Sequence, residues 1–324
     1  MRTNSKILVP LIIVAVLIGV LGAYFSVEQK PAPDAALALS KNNQQVLEYW
    51  LDVIKEEGGK AAYEKFADTY KALRNGEQHE FAHIFGEALY KVEGVPGVAV
   101  CDSQFAFGCY HSFFGFALLD KGLDIIKDLD QACIDVYGRK GLGCQHGIGH
   151  GVITELGYDK LDESLEACMR LDWQEPIGGC TSGVFMEFNF ATMDQGEIRQ
   201  PEDKGEYYPC TEVEKRFSQA CYFEQPAWWS VRSDQDFELV GVRCEAVADT
   251  LNREACYRGV GNVVAGMTEY SLDEITAACK LMPNEEGEIL CIEGATWIVS
   301  AQPEFEDVWQ SLCEPYTGDY YDRC

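Results

Sequence analysis

The chain has few basic residues for its size: 26 Lys and Arg face 53 Asp and Glu, which gives a formal net charge of −27. A surface of that sign repels nucleic-acid phosphates and anionic lipid headgroups, so neither is expected as a partner. Cations are attracted instead. Most of this acidity is what a soluble, solvated surface carries, and it does not by itself indicate a binding site.

Long uncharged stretches are also scarce. Residues 7–25 contain no charge and follow Met1, Arg2 and Lys6, and this length is about what one bilayer span requires. The apolar run is longer than a usual signal-peptide core and no clear small-residue cleavage site follows it, which favours an uncleaved anchor over a cleaved signal peptide. We therefore predict a cytoplasmic N-terminus at 1–6, a transmembrane segment at 7–25 and an extracytoplasmic remainder.

No cysteine is left over from a paired pattern. The chain has 14 cysteines, an even number that indicates disulfides in an oxidising compartment. When the cysteines are taken as seven successive pairs along the chain, the second cysteine of each pair follows the second cysteine of the pair before it by 35, 36, 41, 35, 35 and 33 residues. This spacing is close to the period of two-helix repeats. The predicted pairs are Cys101 with Cys109, Cys133 with Cys144, Cys168 with Cys180, Cys210 with Cys221, Cys244 with Cys256, Cys279 with Cys291, and Cys313 with Cys324.

The segments around the cysteines carry helical patterns, and no convincing strand pattern is present. LDESLEAC and LDEITAAC place apolar residues at helical spacing before a first cysteine, while CQHGIGHGVI and CIEGATWIVSA carry a glycine three residues after a second one. This arrangement resembles that of secreted, disulfide-stapled relatives of tetratricopeptide proteins, over about residues 75–324. The resemblance implies an all-α fold, an α-solenoid of about seven disulfide-clipped repeats, whose concave surface can bind a protein partner.

The rest of the chain divides simply. Residues 26–45 contain two prolines and few large apolar groups, which predicts a linker, and residues 46–74 predict a capping helical hairpin broken at Gly58 and Gly59. An acidic insertion before Cys210 lengthens one repeat, and Pro226 is expected to disturb the helix that follows.

All five histidines of the chain lie between residues 79 and 150. His111 and His146 each lie two residues after a second cysteine, and His150 lies four residues beyond His146. Aligning HEFAH with QHGIGH matches His79 with His146 and His83 with His150. The segment around HEFAH has no cysteine, and Glu77 then occupies the position that Cys144 has in the later segment. An alternative register matches Gly86 with Gly115 and separates His79 from the others.

Histidine is not required by the repeat itself. The position two after the second cysteine becomes Ser182, Phe223, Arg258 and Glu293 in later repeats. We therefore predict a transition-metal site built from the clustered rings, as one site or as two sites that share His111. Imidazole ligands favour Zn or Cu, with Fe less favoured. The metal candidates are His79, His83, His111, His146 and His150, and the carboxylates that could assist them are Glu80, Glu87, Glu155 and Glu187.

Two other functions stay open. HEFAH matches the HExxH pattern of zinc hydrolases, in which Glu80 would be the general base, but Leu89 stands where a third histidine is found in one such class. A binding scaffold without metal is the second alternative. Its aromatic contact set would be Trp228, Trp229, Trp297 and Trp309, although we expect these side chains mainly in the core. The sequence does not decide whether a bound metal is catalytic, structural or transported.

Overall fold

The computed structural model describes residues 35–138, 141–172, 175–194, 204–302, 305 and 308–316. Within these ranges the chain is all-helical, with thirteen α-helices and no strand, so the predicted all-α class is confirmed. The helices are α1 (Asn43–Glu57), α2 (Gly59–Tyr70), α3 (Asn75–Glu93), α4 (Gly108–Lys121), α5 (Ile126–Tyr137), α6 (Leu142–Leu156), α7 (Leu161–Cys168), α8 (Cys180–Asp194), α9 (Ser218–Arg232), α10 (Phe237–Glu245), α11 (Thr250–Met267), α12 (Leu272–Cys279) and α13 (Glu285–Val299).

The predicted transmembrane segment, 7–25, lies outside the described residues and stays a prediction. None of the helices in the described ranges has both the length and the hydropathy needed to cross a bilayer.

The N-terminal hairpin is present where the sequence predicts it. α1 and α2 are separated at Gly58, whose φ of 82° is a conformation that glycine adopts easily. The predicted linker is shorter than expected, because a 3₁₀ helix at Ala35–Leu39 packs on α1. Ala38 is buried, and its carbonyl accepts a hydrogen bond of 2.5 Å from the Tyr70 hydroxyl. The folded domain therefore begins before residue 45.

The long helices pack side by side in chain order. α1 packs on α3, α3 on α4, α4 on α6, α6 on α8, α8 on α9, α9 on α11, and α11 on α13. The short helices α7, α10 and α12 each pack on the long helices that precede and follow them. The loop before α4 also contacts the segment after α13, because the Ser103 hydroxyl donates a 2.5 Å hydrogen bond to the Ala301 carbonyl.

Six of the seven predicted disulfides are present, and every pairing among them matches the prediction. Their Cα atoms lie 5.3–5.8 Å apart, the usual separation for a bridge. Each bridge spans the turn that leads into one of the long helices. Cys324, the predicted partner of Cys313, lies outside the described residues.

Glycines bring the long helices into backbone contact. A Cβ atom on Gly183 of α8 would lie 1.9 Å from the His146 carbonyl oxygen of α6, and one on Gly149 of α6 would lie 2.0 Å from the Cys180 oxygen of α8. The same close contact joins α11 and α13, where a Cβ atom on Gly261 would lie 1.8 Å from the Cys291 carbonyl oxygen. Only glycine fits at these contacts, because a Cβ would overlap the backbone of the neighbouring helix.

The expectation about Pro226 is wrong, because α9 continues through it from Ser218 to Arg232. Pro226 removes one backbone hydrogen bond from the helix. However, α9 is packed between α8 and α11 and buries most of its length, including Trp228 and Trp229. Tertiary burial of these side chains outweighs the lost hydrogen bond.

Candidate metal centre

The glycine contacts fix how α3 aligns with the repeats. Gly149 and Gly261 lie five residues after a second cysteine, and each faces the cysteine carbonyl of the next long helix. Gly86 faces the Cys109 carbonyl oxygen in the same way, since a Cβ added to it would lie 2.2 Å from that oxygen. Phe81 therefore occupies the cysteine position in α3, and both registers expected from the sequence are wrong. The first register places Glu77 at the cysteine position, one helical turn before Phe81. It follows from matching two HxxxH segments, and such a match takes no account of where the helices contact each other.

With this alignment, His83, His111 and His146 occupy equivalent positions on three successive long helices. Their ring centroids are 5.3 Å apart between α3 and α4 and 6.3 Å apart between α4 and α6. His79 lies one turn before His83 on α3, and His150 lies one turn after His146 on α6, so the stacking of hairpins gathers all five rings. Neighbouring ring centroids lie 4.2–6.3 Å apart throughout this histidine cluster.

The first triad consists of His79, His83 and His111, which each place one nitrogen within 4.8 Å of the others. The Nε2 atoms of His79 and His83 are 3.0 Å apart, and His111 Nδ1 is 3.3 Å from His83 Nε2. Nitrogens bound tetrahedrally to Zn²⁺ at about 2.05 Å lie about 3.3 Å from one another. Two of the three separations in the first triad therefore match those around one tetrahedral ion, and all three nitrogens lie within 4.8 Å of one another.

A strained segment orients His79. The Nδ1 of His79 donates a 2.8 Å hydrogen bond to the Phe105 carbonyl, which leaves Nε2 directed at the triad. Phe105, Ala106 and Phe107 all have left-handed backbone conformations, with φ of 57°, 50° and 63°. Such conformations cost about 1–2 kcal/mol per non-glycine residue, so surrounding contacts must hold the segment in place. Phe105 provides some of these contacts by packing against Tyr63 and Phe66.

The second triad consists of His111, His146 and His150. His150 is 3% exposed and donates a 2.8 Å hydrogen bond from Nδ1 to Glu187 Oε2. The Tyr158 hydroxyl donates to the other oxygen of Glu187, at 2.8 Å. Within the described part of the chain, His150 Nε2 is buried and has no hydrogen-bond partner. A carboxylate behind one nitrogen and a free second nitrogen form the usual arrangement of a metal-ligating histidine.

His146 has a different neighbour. Its Nε2 lies 3.4 Å from the Met186 sulfur, and the ring also makes a hydrogen bond with the backbone of Gly178. Met186 is partly buried on α8, one residue before Glu187. The second triad is therefore bordered by a thioether as well as by a carboxylate.

Burial favours the uncharged form of four of the five rings. Removal from water lowers the pKa of His79, His83, His111 and His146, and neighbouring rings lower it further. The pKa of His83 falls to about 3. Burial raises the pKa of Glu187, but hydrogen bonds from His150 and Tyr158 outweigh that effect and the net pKa is lowered. These four rings, neutral near neutral pH, retain the lone pairs that a metal requires.

Of the four candidate carboxylates, Glu187 alone is hydrogen-bonded to the histidine cluster within the described residues. Glu87 instead makes a 2.5 Å ion pair with Lys91. Glu80 is exposed beside His79, and Glu155 is partly exposed near the end of α6. The sequence did not indicate Met186, Tyr158 or the Phe105 carbonyl, because none of them lies in a motif and their positions depend on the packing of different elements.

The aromatic residues divide between core and surface. Trp228 and Trp229 are 3% and 0% exposed, which confirms the expectation of core packing for them, and Trp309 is partly buried against the core. Trp297 is 42% exposed, with the Arg258 guanidinium 5.9 Å from its ring centre. The four tryptophans therefore do not form one exposed set.

Comparisons with known proteins assign this chain to no family. No family model, no curated protein and no solved structure matches this chain significantly.

Proposed function

We propose that this chain is an extracytoplasmic, membrane-anchored α-solenoid that binds a transition metal through its histidine cluster, with Zn or Cu favoured over Fe. The observation that carries the proposal is the convergence of five rings from three helices on two triads that share His111. Each triad gathers its nitrogens within 4.8 Å, and imidazole nitrogen is a ligand that these metals prefer.

The hydrogen bonds around the cluster support the proposal. His79 and His150 each use Nδ1 to bond an oxygen acceptor, which leaves Nε2 for an ion. Repeat packing alone does not explain the histidines, because Ser182, Phe223, Arg258 and Glu293 fill the position of His83, His111 and His146 in the later repeats.

Disulfides and the N-terminal sequence support the proposed location. Six bridges are present, and disulfides persist in oxidising compartments outside the cytoplasm. The uncharged stretch at 7–25 is long enough to anchor the chain in a bilayer.

Metal analysis of the purified full chain tests the proposed function. After treatment with chelator and reloading with Zn²⁺ or Cu²⁺, the wild-type chain should retain stoichiometric metal through gel filtration. The double variant His146→Ala/His150→Ala should lose part of it, because the second triad keeps only one ring. Absence of bound metal in the wild-type chain would contradict the proposed function and leave a protein-binding scaffold as the better interpretation of the repeats.

The hydrolase alternative is tested by the same preparation. Glu80→Gln should leave metal content unchanged, since Glu80 is exposed and is not a ligand in either triad. Cleavage of casein by the loaded wild-type chain, abolished by Glu80→Gln, would establish a zinc peptidase. Among the described residues no strand is present to hold an extended peptide by its edge.

Glu187→Gln should weaken metal binding without removing a ligand. The variant keeps the size of the side chain but removes the charge that orients His150, and loss of such a partner lowers metal affinity about 10–100-fold. Competition with a chromophoric chelator measures the change. Glu155→Gln is the matched control, because it removes one acidic charge from the region near His150 without touching that ring. Equal affinities for the two variants would contradict the role given to Glu187.

A further inference from the structure

The two triads differ in the atoms that surround them. The first triad contains only imidazole nitrogens at close range, held from behind by a backbone carbonyl. The second has the Met186 sulfur 3.4 Å from His146 Nε2, and the buried Nε2 of His150 has no hydrogen-bond partner within the described ranges. These two rings belong to one group of ligand atoms that lie within 4.8 Å of one another.

A thioether changes which metal the second group prefers. Sulfur of methionine is a soft ligand that selects Cu(I), whereas Zn²⁺ is bound in proteins by nitrogen, thiolate or carboxylate oxygen. No free cysteine is present among the described residues, so thiolate does not compete for the ion there. Met186 is therefore the softest ligand available beside the rings.

The charge of the site points the same way. His146, His150 and Met186 are neutral ligands and do not offset the charge of a bound cation. The Glu187 carboxylate lies behind His150, 2.8 Å from its Nδ1, and supplies one negative charge at short range. With this one carboxylate at short range, a monovalent ion leaves less uncompensated charge in this buried position than a divalent ion does.

Resting on the metal-binding function proposed above, we infer that His146, His150 and Met186 form a copper site that takes Cu(I), distinct from the all-imidazole first triad. His111 stacks on His150, with ring centroids 4.2 Å apart, and remains the ring that the two triads share. The methionine is a ligand in this arrangement and not only a side chain that fills the space between α6 and α8.

Met186→Leu in the full chain tests the inference. Leucine replaces methionine with little change in volume, so the variant should fold and keep a wild-type helical circular-dichroism spectrum. Affinity for Cu(I), measured without oxygen against a chromophoric Cu(I) chelator, should fall about 10–100-fold or more, the scale set by the loss of a metal site's partner groups. Affinity for Zn²⁺ should stay unchanged, because the first triad lacks sulfur.

Met282→Leu is the matched control. Met282 is a buried methionine that packs against Gly241, and its replacement should leave Cu(I) affinity at the wild-type value. X-ray absorption at the copper edge of the loaded wild-type chain should show a sulfur neighbour that disappears in Met186→Leu and persists in Met282→Leu. Loss of the sulfur signal only in the first variant supports the copper site directly.

The two kinds of failure are distinguishable. Unchanged Cu(I) affinity in Met186→Leu, or a copper spectrum with nitrogen neighbours only, overturns the copper site, while metal that still depends on His83 and His111 leaves the proposed function intact. If the wild-type chain binds neither Cu(I) nor Zn²⁺, the copper site and the proposed function fail together.

Discussion

Replacing His111 with Ala should lower the affinity of the chain for Zn²⁺ more than replacing any other histidine. His111 is the one ring that belongs to both triads among the described residues. Its loss leaves two imidazoles in each, and removal of a direct ligand should cost more than the roughly 10–100-fold that follows loss of an outer partner. Competition titration with a chromophoric Zn²⁺ chelator measures the affinity, and metal content after gel filtration measures the stoichiometry.

Two comparisons sharpen this expectation. His83→Ala should affect the first triad alone, so its loss of Zn²⁺ affinity should be smaller than that of His111→Ala. Asn262→Ala is the control for the scaffold, because Asn262 of α11 occupies the position that His150 occupies in α6. If His111→Ala and Asn262→Ala bind Zn²⁺ equally well, His111 is not a ligand and the shared-ring arrangement is wrong.

Gly183→Ala should destabilise the protein and disturb the metal centre together. The added Cβ would lie 1.9 Å from the His146 carbonyl oxygen, and backbone atoms on both sides prevent a local adjustment. α6 and α8 must therefore move apart, at a cost of about 1–3 kcal/mol or more. The same movement separates His150 from Glu187 and His146 from Met186. Chemical denaturation and metal titration of the same sample measure the two effects.

Gly261→Ala separates stability from metal binding. Its Cβ would lie 1.8 Å from the Cys291 oxygen, an equally close contact between α11 and α13 that involves no histidine. It should destabilise the fold to a similar extent and leave metal affinity unchanged. Gly115→Ala provides the baseline, since a Cβ there meets no described atom within 4 Å, and alanine is the better helix former by about 1 kcal/mol. Destabilisation by Gly115→Ala as large as that by Gly183→Ala would show that backbone contact is not the cause.

Much of the fold could be predicted because its determinants are periodic in the sequence. Cysteine spacing and the small residue three positions later identify the long helices α4, α6, α8, α11 and α13, and six predicted bridges are present. The effect of Pro226 could not be predicted, because burial of α9 between its neighbours depends on contacts that a local pattern does not contain.

The candidate site was predicted at the level of residues and not of geometry. Clustering of the histidines in one part of the chain was enough to expect the five rings together, and Glu187 was among the expected partners. The register of α3 required the contact between Gly86 and Cys109, because α3 has no cysteine pair to mark its start. Met186 and the Phe105 carbonyl come from other helices and loops, and their approach to the rings is set by tertiary packing alone.

Because His111 belongs to both triads, ions bound in the two would be coupled. An ion that takes a nitrogen of this ring fixes its tilt and draws electron density from it, which changes what the ring offers to the other group. By thermodynamic linkage the effect is reciprocal, so an ion in either group changes the affinity of the other by the same factor. The relative supply of two metals would then determine which form of the protein is populated.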